Sequence, residues 1–231
     1  MRSIIIIFSL VFIVLYGVFF TLDALALQHL TQEDGVIEWF GALCFLAACV
    51  LLFRVFYRTK YAFILLLGIA CFFAFGEEIS WGQRIIGFKT PESIEKINAQ
   101  KEFNIHNLKW IQHKDTIGMD MKSILNFNRL FIIFWISYCV ILPIVFKYGT
   151  YARSIILRLK IPVLPIWFGV LFFINEITCK YLDWYLDNKW LQRLGENEVK
   201  EAIWGLLILL ISIYWTKKKK SMIGCNTPND L

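Results

Sequence analysis

The chain has 231 residues, 58% hydrophobic and 17% aromatic, with a formal net charge of +6 and a mean hydropathy of +0.59. Soluble domains sit near ~45–50% apolar, and here the excess is gathered into runs, which argues against a separate soluble domain; the largest non-spanning piece is 79–129. Six cysteines occur without a CxxC pair or a disulfide framework, so they say nothing about redox compartment.

Apolar runs long enough to cross hydrocarbon read as transmembrane helices. In chain order they fall at residues 4–22, 38–56, 61–78, 130–147, 161–179 and 201–216. The expected fold is all-α: one integral membrane domain over 1–231, a polytopic helical bundle of six spans, with interfacial amphipathic helices on its outer face. In the first run, Ala24-Leu25-Ala26 resembles a signal cleavage site. Its apolar stretch is long for a signal core, however, and Asp23 interrupts the approach, which favours a retained span.

The charges orient the bundle. One set of span ends carries Arg2, Arg54, Arg58, Lys60, Lys147, Arg153, Arg158, Lys160 and Lys217 to Lys220, with Asp230 as its only acid. Basic residues concentrated in short loops mark the cytoplasmic side. Both termini are therefore expected in the cytoplasm of an inner or plasma membrane, with segments 23–37, 79–129 and 180–200 outside. The basic excess is topological, and no basic face with groove-reading partners suggests nucleic acid. Membrane lipids, and a membrane protein partner, are the expected contacts.

The stretch between spans two and four holds the residues of interest. Uncharged runs of fifteen or sixteen residues end at Glu38, Glu77, Glu176 and Glu201, and each covers only about 22–24 Å at helical rise. Carboxylates at that depth are costly unless they face an interior or a cavity, so a shared polar chamber open to the outer face is expected. If the third helix continues through Trp81, then Glu77, Ser80 and Arg84 share one stripe, and Trp81 is an interfacial anchor. Glu77, Glu78 and Glu176 are expected at helix C-terminal ends, with Glu38 and Glu201 beginning theirs. Thr90-Pro91-Glu92 signals a short helix over 91–102. "NIHNLKWIQH" (104–113) suits an interfacial amphipathic helix, followed by a turn at Asp115, Gly118 and Asp120.

An echo links the two halves: "FFAFGEEIS" (72–80) with "LFFINEIT" (171–178), and "EDGVIEW" (33–39) with "ENEVKEA" (196–202). The candidate catalytic set is Glu77, Glu78, Glu176 and His106: a carboxyl as general acid or base, with His106 as proton carrier. The candidate substrate-binding set is Arg84, Gln83, Trp81, Glu38 and Asn107, with Arg84 holding an anionic headgroup. No HExxH or other compact ligand motif occurs, and His106 and His113 are too far apart on a straight helix to share an ion, so no metal or cofactor is named. The Glu-Glu-x-x-x-Arg pattern of CAAX-type intramembrane proteases is not met, because Arg84 comes two residues late.

"GEEISWGQRIIGFKTPE", "NAQKEFNIHN" and "EDGVIEW" together resemble a signature shared by uncharacterised multi-pass inner-membrane proteins of bacteria. The resemblance covers residues 33–39 and 76–107. It implies that Glu77, Glu78, Trp81, Gln83, Arg84, Asn104, His106 and Asn107 act together, and it implies no activity. A lipid, a lipid-linked saccharide or an envelope peptide is the expected substrate; the alternatives are a non-catalytic membrane subunit or assembly factor, or a cation- or proton-coupled transporter.

Overall fold

The computed structural model describes residues 2–32, 35–105, 107–109, 126–187 and 195–218, with Arg84 described by its backbone only. The regular structure of the described residues is helical, with no strand; one isolated antiparallel bridge pairs Asn98 with Leu108. Helices α1 (Arg2–Thr21), α2 (Ala24–Thr31), α3 (Val36–Thr59) and α4 (Ala62–Glu78) come first. The short α5 (Gln83–Ile86) and α6 (Glu92–Glu95) follow. Then come α7 (Phe127–Tyr148, π-helical over Ile136–Ile141), α8 (Thr150–Arg158), α9 (Trp167–Asp187) and α10 (Glu196–Lys217).

Four stretches are long and apolar enough to cross a membrane: α1, the α2–α3 stretch Ala24–Thr59, α7 and α10. The other two expected spans are weaker by length and composition. α4 has only 17 residues, about 25 Å at helical rise, and α9 carries Glu176, Lys180 and Asp183 along its length.

The centre of the bundle is α10. From Val199 to Trp215 it is buried on almost every side, as a helix apolar all round must be. It lies against α3 closely enough for backbones to touch. A Cβ placed on Gly41 would stand 3.0 Å from Ala202 Cα, and one on Gly205 would stand 2.8 Å from the Gly41 carbonyl oxygen. Small residues at such a crossing are the usual way helices gain van der Waals contact where lipid offers no hydrophobic drive. A turn at Lys60, in the left-handed conformation (φ 60°), reverses the chain from α3 into α4.

The basic ends of the helices collect together. Arg58 Nη1 donates to the Thr216 carbonyl (3.1 Å), and Lys160 lies 5.9 Å from the Tyr61 ring centroid. α1 is mostly exposed and is tied in by Ile4, Phe8, Tyr16 and Phe19. The Tyr16 hydroxyl donates to Asn175 Oδ1 (2.7 Å), and Asn175 Nδ2 donates to the Lys200 carbonyl (3.1 Å), which links α1, α9 and α10.

Several sequence expectations need correction. α4 ends at Glu78, and Ser80 and Trp81 are left-handed (φ 46° and 53°), so no polar stripe runs on a continuous helix from Glu77 to Arg84. The helix expected over 91–102 is a single turn, Glu92–Glu95. Of the expected 104–113 helix, the described residues 104, 105 and 107–109 form turns and the Leu108 bridge; His106, His113 and the 115–120 turn lie outside the described residues. Residues 161–165, with Pro162 and Pro165, are outside any helix, as prolines in a helix interior would disfavour one, and α9 starts at Trp167. It then continues to Asp187, because Phe168, Phe172, Asn175, Cys179, Leu182 and Leu186 keep a buried stripe going past its charges. Glu176 is thus mid-helix and not at a C-terminal end. α10 starts at Glu196, so Glu201 stands more than a turn inside it. Asp23 is the N-cap of α2, accepting from the Ala26 amide at 2.8 Å, within what the sequence shows as a loop.

Candidate functional site

The end of α4 is built around Glu77. Its side chain is 4% exposed. Oε1 accepts the indole N–H of Trp81 (2.6 Å) and Oε2 accepts the backbone N–H of Ile105 (2.7 Å). The chain leaves the helix here, with three consecutive positive φ values at Ser80, Trp81 and Gly82, and the indole lies back against the last turn of α4. Left-handed backbone costs a non-glycine residue about 1–2 kcal/mol, so the contacts around it must hold it. Gly76 leaves the space: a Cβ there would sit 2.9 Å from Trp81 Cζ3. Phe73 meets the indole edge-on at 5.4 Å.

Beyond this turn, residues 80–109 are knitted together by side-chain amides. Gln83 Nε2 donates to Thr90 Oγ1 (2.7 Å), and Gln83 Oε1 accepts from the Phe103 amide (2.7 Å). Ser80 Oγ donates to Glu102 Oε2 (2.9 Å), and Asn104 Nδ2 donates to the same oxygen (2.8 Å). Asn98 Nδ2 donates to Asn104 Oδ1 (2.9 Å), and Asn107 donates to Gln100. The backbone doubles back on itself, with the Ala99 amide donating to the Asn107 carbonyl (2.7 Å) and the Lys109 amide to that of Ile97 (2.9 Å). Buried amides are satisfied pairwise, as buried polar groups must be.

Next to this segment lies a cavity of about 1070 Å³ between α3, α4, α7 and α10. Six carboxylates line it: Glu38, Glu77, Glu78, Asp183, Glu198 and Glu201. Amides of Gln100, Asn107, Asn126, Asn128 and Asn197 complete the polar lining. The remaining lining is apolar, with Leu66, Ala70 and Phe73 of α4 facing Leu130, Phe131 and Phe134 of α7. Among the described residues no three His, Cys, Asp or Glu side chains are grouped so as to hold a metal ion. The acids are spread around the volume and do not converge on one point.

Glu176 stands apart. It lines a smaller cavity of about 180 Å³ with Cys179, Lys180, Glu196 and Lys200. Its Oε1 accepts the indole N–H of Trp204 (2.9 Å). Trp204 also lines the larger cavity, where Phe131 stacks on it at 4.4 Å. Asp183 and Asn197 line both cavities. Lys200 is 7% exposed, donates to Asn197 Oδ1 (3.0 Å) and lies 4.9 Å from the Trp204 ring centroid.

Of the residues named from sequence, Glu38, Glu77, Glu78 and Asn107 therefore line one cavity, joined by Glu201. Trp81 and Gln83 belong to the hydrogen-bonded segment beside it, as does Asn104. Glu176 is brought elsewhere. His106 lies outside the described residues, as does the side chain of Arg84. Sequence reasoning missed Asp183, Glu198, Asn126 and Asn128 on the cavity wall, and Asn98, Gln100 and Glu102 in the segment. The sequence offers no clean signal for the latter: in "NAQKEFN" (98–104) Lys101 breaks the alternation of Asn98, Gln100, Glu102 and Asn104. Comparison with protein-family models, with curated proteins and with solved structures finds no match.

Proposed function

We propose that the chain is a six-span inner- or plasma-membrane protein with both termini cytoplasmic, which binds the polar head of a membrane amphiphile at the outer leaflet. α4 and α9 complete the span count. The observation that carries this reading is the single cavity that joins an apolar gallery on α4 and α7 to a polar region of carboxylates and amides. Ligand sites combine apolar walls with a few placed polar groups, and this division matches a molecule with a chain and a head. Acids inside spans belong where they face a cavity. On this reading Glu78 and Glu201 are the groups positioned to exchange a proton with the head. Glu77 serves as a clasp, since both its oxygens already hold donors. Exposed Ile85 and Ile86 on α5 set the 80–109 segment against the membrane interface.

A second reading, a non-catalytic membrane subunit, draws on the same segment. Its amides hold a defined surface that a partner could recognise.

Two measurements test the proposal. Native mass spectrometry of the protein released from mild detergent should find a bound amphiphile, lost in Ala70→Trp, which fills the gallery. Protein free of amphiphile in both forms would count against the cavity and for the subunit. Single cysteines at Lys89 and Lys217, in a cysteine-free background, should react with an impermeant maleimide from outside and only after permeabilisation, respectively. The reverse pattern would invert the topology.

A further inference from the structure

We infer that the basic end of the bundle carries a second site, separate from the cavity, which binds the headgroup of an anionic phospholipid through Lys60, Lys160 and helix α8. The charge at this end is bounded by the sequence. No acid occurs between Glu38 and Glu77, between Asp120 and Glu176, or between Glu201 and Asp230. The basic residues at the ends of α3, α7, α8 and α10 all stand in those stretches. Glu38 is in the first turn of α3, 22 residues before Lys60, which is about 33 Å at helical rise. Asp230, outside the described residues, is the one acid that the sequence puts on this side. Most of the counter-charge must come from outside the chain, and at a membrane surface anionic lipid supplies it.

Two helices end here on a left-handed lysine: α3 at Lys60 (φ 60°) and α8 at Lys160 (φ 53°). Glycine is the usual residue at such an end, because a side chain adds strain. A strained position that keeps a long cationic side chain points to a use for that side chain. The fold brings the two lysines to one place. Lys160 Nζ lies 5.9 Å from the ring centroid of Tyr61, the residue after Lys60, and Lys60 Nζ lies 4.5 Å from that of Tyr57. The Tyr138 hydroxyl donates to the Pro162 carbonyl (2.9 Å), and Phe63 packs on the Tyr138 ring (4.8 Å). These contacts hold the chain after α8 against the start of α4. Tyrosines at a membrane surface sit at headgroup level, so ammonium groups resting on them stand at the depth of lipid phosphate.

Helix α8 makes the anion a lipid's. Its nine residues are too few to cross a bilayer. It packs inward through Ile156, buried with Phe146 and Val163. Tyr151 (81% exposed), Ile155 (41%) and Leu159 (58%) stand four residues apart on one outward stripe that ends beside Lys160. A soluble phosphate has no use for an apolar stripe, whereas a phospholipid brings acyl chains to cover it.

The test places the full chain in nanodiscs of phosphatidylglycerol and phosphatidylcholine in equal amounts, moves it to mild detergent, and reads retained lipid by native mass spectrometry. Phosphatidylglycerol should be kept over phosphatidylcholine about tenfold or more. Lys60→Gly with Lys160→Gly relieves the left-handed strain, so the unfolding temperature should hold or rise while the preference falls several-fold. Lys217→Gln with Lys218→Gln removes the same charge from the same end and should leave most of the preference. Equal retention of the two lipids by the unaltered protein, a comparison that needs no variant to fold, would overturn the anionic headgroup. An undiminished preference in the double glycine variant would overturn the two lysines. An equal fall in the Lys217–Lys218 variant would replace a discrete site with diffuse attraction. Displacement by excess inorganic phosphate would overturn the lipid as occupant. Loss of phosphatidylglycerol in Ala70→Trp would put it in the cavity; its retention there, whatever becomes of the cavity amphiphile, supports a separate site.

Discussion

Removing the Glu77 carboxylate tests whether it fastens residues 80–109 to the end of α4. In Glu77→Ala the Trp81 indole N–H and the Ile105 amide lose acceptors that stand 2.6 and 2.7 Å away. A hydrogen bond to a charged group contributes about 1.5–3 kcal/mol; both of these are only half-buried, and with water replacing part of each the two together cost about 2–4 kcal/mol. Ser80 and Trp81, held left-handed (φ 46° and 53°), then lose the contact that fixes them, and the segment should undock before the bundle melts. Glu77→Gln keeps one acceptor oxygen but turns an amide N–H₂ toward the other donor, so about half that loss is expected. The assay is limited trypsin digestion in detergent, reading cleavage at Lys89, Lys96, Lys101 and Lys109. If opening is fast relative to cleavage, the rate follows the open population. The lower bound of 2 kcal/mol corresponds to about 30-fold faster cutting. A cycle with Trp81→Phe should show that the two changes are coupled and not additive. Glu77→Ala that is cut at the rate of the unaltered protein, with the same unfolding temperature, would refute the clasp.

Gly76→Ala drives a Cβ to within about 3 Å of the Trp81 ring; overpacking of this kind costs about 1–3 kcal/mol and should shift the Trp81 component of the fluorescence toward the red. Gly205→Val should part α3 from α10, where even a Cβ meets the Gly41 carbonyl at 2.8 Å; a large drop in unfolding temperature is expected, with Leu209→Val as a milder control. Tyr16→Phe leaves Asn175 Oδ1 without the hydroxyl that reaches it at 2.7 Å. The expected loss is about 1–3 kcal/mol, read as a lower unfolding temperature, and α1 should become easier to label at its buried face. Trp204→Phe removes the donor to Glu176 (2.9 Å) while keeping the aromatic wall, so it should alter the small cavity and leave amphiphile retention in the large one unchanged.

The membrane character, the helical class and the grouping of charge at opposite ends follow from the sequence alone, because they depend on sums: apolar run length against hydrocarbon thickness, and Lys and Arg against loop length. Glu38, Glu77, Glu78 and Glu201 line one cavity, but the short uncharged runs bear only on where each carboxylate stands along its own helix. Depth does not determine azimuth. Which way each helix faces is settled by its neighbours: the Gly41–Ala202–Gly205 crossing sets α3 against α10, and the packing of α9 on α10 brings Glu176 to the Trp204 indole and into the smaller cavity. Nor could local pattern reveal the fold-back of Trp81 onto Gly76. A helical periodicity carries on through "EEISWGQR", whereas the turn is held by partners twenty or more residues away, Glu102 and Ile105 among them. Distances along a helix are written in the chain; which helices meet, and with which face, is decided only when all of them pack at once.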